Sequence, residues 1–123
     1  MTPETMLLRQ VHPTWIDDGR PTSQAFTPSP KDHSKLSVYD GDQIEAAEAW
    51  RHFTQEQGLS SIGVLAVTVA ECVALSVEAR PDPAPFKEHA VIDFGALAGN
   101  PAKKVGRKLR DKAMDRGWLH RAE

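Results

Sequence analysis

The sequence predicts a single α+β (or α/β) domain over residues 1–123, with a mixed β-sheet of about five strands and three helices in the order β-β-β-α-β-α-β-α. Three observations predict it. Short apolar runs of strand length recur at residues 7–11, 22–27, 36–39, 62–67 and 89–94, each bounded by turn chemistry. Two longer windows, 43–57 and 101–116, carry apolar residues at three- and four-residue steps. The length of 123 residues suits one core, which at this size buries about two-thirds of the surface of the unfolded chain.

Each element has a local reason. Residues 7–11 form the first strand, closed by His12-Pro13 because proline removes a ladder donor. The stretch IDDGRP has the positive-φ preference of Asp-Gly and a preset φ at Pro21, and reads as a turn. Residues 22–27 read as a second strand with Ala25 or Phe26 facing inward, and PSPKDHSK as a loop leading to a third strand at 36–39. Short loops would let these three form an antiparallel meander. Asp42 stands three residues before Glu45 at the start of an apolar-periodic run, a capping-box pattern that makes Asp42 the N-cap of a helix over 43–57. Ala46, Ala49, Trp50 and Phe53 form its apolar stripe, and Gly58 its C-cap.

The run IGVLAV has almost no polar interruption and reads as a strand covered on both faces. Thr68 and Glu71 make a second capping box for a short helix over 69–75. EARPDPAPFKE, with three prolines, reads as an extended loop, and residues 89–94 as a further strand. Strand, helix, strand across this span predicts a right-handed crossover and a parallel pair. Asn100-Pro101 supplies an N-cap with proline at the first helical position, opening a helix that runs to about Arg116 and ends at Gly117. Ala102, Val105, Leu109 and Ala113 are its apolar stripe, and Trp118 and Leu119 are expected to pack back.

Composition excludes several classes of function. One cysteine, Cys72, rules out an intramolecular disulfide framework and fits a reducing compartment. No run of about 18 apolar residues is present, so no membrane span and no membrane partner is expected. The start MTPETMLLRQVHP lacks the basic and apolar regions of a secretory signal, and the expected location is cytoplasmic. Charge is unevenly spread. Residues 101–123 hold eight Lys or Arg against three Asp or Glu, a net +5, on a body of seven against fourteen, a net −7. The basic C-terminal helix is therefore a candidate contact surface through Lys103, Lys104, Arg107, Lys108 and Arg110, either docked on the acidic body, against a protein partner, or against nucleic-acid phosphates. Asp111 and Asp115 interrupt that face and favour protein over nucleic acid.

No catalytic motif stands out, so enzyme and non-enzyme readings both stay open. None of the five histidines has another three or four residues away, which gives no zinc spacing; no metal and no cofactor is expected. Cys72, in a short helix behind an apolar strand, reads as a core residue. The candidate catalytic set is Arg9, His12, Ser23 and His89, whose guanidinium, imidazole and hydroxyl groups suit a phosphate if they gather at one rim. His12, Arg80 and His89 make a second candidate rim.

Leu8-Arg9, Ser23-Gln24-Ala25-Phe26, Leu36-Ser37-Val38 and Glu88-His89-Ala90-Val91-Ile92 together resemble short uncharacterised bacterial proteins with Leu-x-Arg, Ser-x-Ala-Phe, Leu-Ser-Val and His-Ala-x-Ile strands. The resemblance spans most of residues 7–94, implies a bacterial origin and carries over no functional residue, since the group has no established activity. The leading expectation is a small partner-binding protein, an operon-encoded accessory or regulator. The alternative is a small enzyme, or an inactive relative of one, acting on a nucleotide or nucleic-acid phosphate.

Overall fold

A computed structural model describes residues 1–122. It is one α+β domain built on a six-stranded sheet in the order β6-β7-β4-β1-β5-β8. The strands are β1 (Met6–Gln10), β4 (Lys35–Asp40), β5 (Gly63–Thr68), β6 (Glu78–Pro81), β7 (His89–Asp93) and β8 (His120–Arg121), while β2 (Ile16–Asp17) and β3 (Arg20–Pro21) form a separate small hairpin at IDDGRP. The helices are α1 (Ala46–Arg51), continued by a π-helical turn (His52–Glu56), α2 (Val69–Ala74) and α3 (Gly99–Arg116).

Every pairing in the sheet is antiparallel, so the expected parallel pair does not form. The crossover is real but joins β5 to β6, which run the same way with β1, β4 and β7 between them. It was misplaced because Glu78–Pro81, expected as loop, is an edge strand, a position where Pro81 leaves no interior ladder bond unmade. The second expected strand is also absent. Ser23–Phe26 is a 3₁₀ turn capped by Thr22, whose hydroxyl accepts from the Gln24 N–H at 3.3 Å, while the Thr27 hydroxyl donates to Ser23 O at 2.7 Å. Two hydroxyls thus offer the backbone local partners and outcompete a ladder. The turn buries both Ala25 and Phe26, where a strand would have turned only one of them inward.

Helix starts divide the same way. The Thr68–Glu71 capping box is present in both directions, at 3.1 and 2.8 Å. Asp42 is not an N-cap. α1 begins at Ala46 with Glu45 in the N-cap position, and the Asp42 carboxylate accepts from the Thr5 hydroxyl at 2.6 Å. The turn is held by buried Asp40, which accepts from the Asp42 N–H and from Gln43 Nε2. Gly41 lies against β1, where a Cβ would meet Met6 O at 2.6 Å. α3 opens at Gly99 without a side-chain cap, so Asn100 does not serve as one.

The sheet separates two cores. On one face α3, α2 and the 3₁₀ turn cover Leu7, Leu36, Leu65 and Ile92. Leu109, Ala113 and Gly106 bring α3 so close that a Cβ on Gly106 would meet Phe26 O at 3.0 Å. On the other face α1 covers Leu8, Tyr39, Val64 and Ala66 with Ala49, and with Trp50 and Phe53 half-buried. β5 is sandwiched between both, as its apolar run implies.

Candidate cleft between β1 and β4

The two central strands are joined by the shortest seam of the sheet's core. β1 pairs with β4 only at Leu7↔Asp40 and Leu8↔Tyr39, whereas β1 pairs with β5 at five positions and β4 with β7 at five. Beyond Leu8 and Tyr39 the strands part, and a cavity lies on either side of the parting, of about 290 Å³ on the α1 face and about 280 Å³ on the opposite face. Arg9 and Ser37 border both.

Arg9 fills the parting. Strand alternation turns it to the face opposite Leu8 and Gln10, where Nε donates to Ala25 O at 2.7 Å and Nη1 to Ser37 O at 2.9 Å. Its guanidinium lies over the Trp15 ring, 4.9 Å from the centroid. Burial pushes its pKa down to about 10, partly opposed by the charge of Asp32, so it remains a cation at neutral pH.

The α1-face cleft is built on residues from three strands. Leu8, Tyr39 and His89 stand side by side through the registers Leu8↔Tyr39 and Tyr39↔His89, and Gln10 follows Leu8 on the same face, opposite Val64. Gln10 is 5% exposed, yet neither Oε1 nor Nε2 of its side chain has a hydrogen-bond partner. These are the only buried side-chain polar atoms without one among the described residues. His89 is buried, and Nδ1 lies 2.8 Å from Asp82 O. A carbonyl only accepts, so Nδ1 carries the proton and Nε2 of the neutral ring keeps its lone pair. The Asp82 carboxylate is 3.5 Å from the same Nδ1.

Aromatic rings wall the cleft. Phe86 packs on Tyr39 at 5.1 Å, on His52 at 4.6 Å and edge-on to His89 at 5.3 Å between centroids. The Tyr39 hydroxyl shares a hydrogen bond with His52 Nδ1 at 2.7 Å, and burial raises its pKa well above the ordinary phenol value, so it is a neutral hydroxyl. Phe53 and His52 come from the π-helical turn, an irregularity found often at functional sites.

Of the four catalytic candidates, Arg9 and His89 border this cleft, and His12 and Ser23 do not. His12 caps the 3₁₀ turn Pro13–Trp15, accepting from the Thr14 N–H at 3.1 Å, and Ser23 opens the turn that supports Arg9. Arg80 sits on β6, bonded to Asp93 and Glu78, so the second candidate rim does not assemble. Cys72 is buried, and desolvation pushes its thiol up to about 12, which suits a core residue. On α3, Lys103, Lys104, Arg107 and Lys108 stand exposed, Arg110 pairs with Asp111, and the helix ties to the body through Arg116, which donates to Ala66 O and to Glu71.

Gln10 was missed as a site residue although its signal is in the sequence. In MLLRQV it takes the position that alternation assigns to the face of Leu8, so a polar group stands where the pattern asks for an apolar one. Among the described residues no group of three or more His, Cys, Asp or Glu is placed to hold a metal ion, and no helix is long and apolar enough to cross a membrane. No family model, curated protein or solved structure matches the chain.

Proposed function

We propose that the chain is a small-molecule-binding protein whose ligand enters the cleft beside β1 and β4 and bonds the amide of Gln10, a cleft-lining residue whose buried amide turns toward the ligand on binding. The observation that carries this reading is the unpartnered amide itself. Leaving a buried polar group unpaired costs about 1–3 kcal/mol, and native proteins pair nearly all such groups. The cleft, at about 290 Å³, holds far more than one water, whose share of liquid volume is about 30 Å³. A ligand that completes the amide's bonds accounts for both facts.

Two sequence-derived readings keep some support beside it. An enzyme acting in this cleft is favoured by His89, whose fixed tautomer leaves Nε2 as a base. Contact with a protein partner is favoured by the exposed basic side chains of α3, and the interleaved Asp111 and Asp115 still argue against nucleic acid.

The test is stability in the absence of ligand. Gln10→Leu and Gln10→Met remove the amide while keeping its bulk. Both variants are expected to melt at or above the wild type, by up to about 1–3 kcal/mol in unfolding free energy, because an unpaired buried group has been removed. Destabilisation of both variants by more than about 1 kcal/mol in urea titrations would show that the amide is already satisfied in the free protein, and the reading would fail.

A further inference from the structure

We infer that the ligand of this cleft is a flat nitrogen heterocycle with a donor and an acceptor adjacent on one edge, the chemistry of a nucleobase carried as a free base or nucleoside. The inference rests on the small-molecule reading above and narrows it.

The amide decides the polar part. A buried Gln side chain presents an acceptor and a donor side by side, and both Oε1 and Nε2 of Gln10 are empty-handed. An anion would satisfy Nε2 alone and leave Oε1 unpaired. The one cation it would find is Arg9, which borders the cleft but has Nε and Nη1 committed to the carbonyls of Ala25 and Ser37 and its guanidinium over the Trp15 ring on the opposite face. A cation would satisfy Oε1 alone, and no Asp or Glu lines the cleft. A neutral edge carrying both functions satisfies the amide completely, in the paired geometry by which Gln reads adenine. His89 Nε2 adds an acceptor for one further N–H.

The walls decide the shape. Phe53, Tyr39 and Phe86 offer ring surfaces, which favour an aromatic ligand over a saturated one. A base edge holds its donor and acceptor on adjacent atoms, as the Gln10 amide does, whereas each sugar hydroxyl is donor and acceptor at one oxygen, so the base is placed against Gln10. The volume of about 290 Å³ is at the small end of ligand sites, enough for one ring system.

The experiment is saturation-transfer NMR and calorimetry on the full chain, with uridine, cytidine, adenosine and guanosine as probes and with indole, ribose and acetate as controls. Saturable binding of at least one nucleoside is expected, with transfer strongest to base protons. Gln10→Leu should weaken that nucleoside at least tenfold while leaving indole within twofold. Nucleosides that bind no better than indole, or that survive Gln10→Leu unchanged, would overturn the assignment, as would binding of ribose or acetate alone or of no probe. A single-stranded pentanucleotide of the same base that binds more tightly than the nucleoside would overturn the assignment to a free ligand. The Gln10 melting test stands apart from these results. If Gln10→Leu is stabilising and no nucleoside binds, the ligand class is wrong and the cleft reading is not.

Discussion

The two faces of the sheet are finished to different standards. Under α3 the core is closed: Leu7, Phe26, Leu65, Ile92, Leu109 and Ala113 have no measurable exposure, and Gly106 is pressed onto the 3₁₀ turn. Under α1 the helix is one and a half turns long before it widens into a π turn, Trp50 and Phe53 stay half-buried, and a cleft with an unpaired amide remains. One chain under one selection for stability can evidently fill a face with side chains. The face it leaves open, with an unpartnered amide buried beside the cleft, is where the proposed ligand is placed.

The widest gap between the faces should appear in their phenylalanines. Phe26→Ala removes a fully buried ring from the closed face and should cost about 3–5 kcal/mol, whereas Phe53→Ala on the half-open face should cost less than about 2 kcal/mol. Equal losses in urea titrations would show that the α1 face is as tightly packed as the other.

A smaller effect lies in the tie across the closed face. Burial alone would raise the pKa of Glu71, but hydrogen bonds from Arg116 and Thr68, and the charge of Arg116, outweigh it and hold the carboxyl below its ordinary value. A depressed carboxyl contributes stability above the unfolded value of about 4.3 and loses it as pH falls through the folded value. Between pH 7 and about pH 3 the wild type should therefore lose its advantage over Glu71→Gln, and the two should converge in acid. A constant difference across that range would mean that the carboxylate charge contributes nothing.

The smallest effect is expected at the outer surface of α3. Lys103, Lys104 and Lys108 form no ion pair with the body among the described residues, so reversing all three to glutamate should change unfolding free energy by no more than about 0.5 kcal/mol. A larger, salt-dependent loss would restore the docking of this helix on the acidic body that the charge distribution first suggested.

The sequence was legible where one pattern had no competitor. IGVLAV could only be a strand covered twice, the Thr68–Glu71 box closed as written, and the Ala102–Leu109–Ala113 stripe met the core. It misled where local chemistry had two outlets. Thr22 and Thr27 turned an apparent strand into a 3₁₀ turn, and Asp40 took the turn that Asp42 seemed to cap, because the Asp42 carboxylate had a partner in Thr5 far away in the chain. The cleft was half legible. Arg9 and His89 border it and alternation marks Gln10, but Tyr39 reaches it through strand registers and Phe86 through the fold of the loop before β7, which no local pattern encodes.

The narrow seam between β1 and β4 bears on how the chain folds. It divides the sheet into two leaves, β1-β5-β8 and β4-β7-β6, and the chain passes from one leaf to the other four times on its way from β1 to β8. Apart from the consecutive pair β6 and β7, each leaf is joined by contacts of long sequence separation, which slow folding. What the seam lacks in backbone pairing it regains in connectivity, since each passage lays another segment across it. The cleft at that seam is therefore assembled from segments far apart in the chain, its lining drawn from residues between Arg9 and His89.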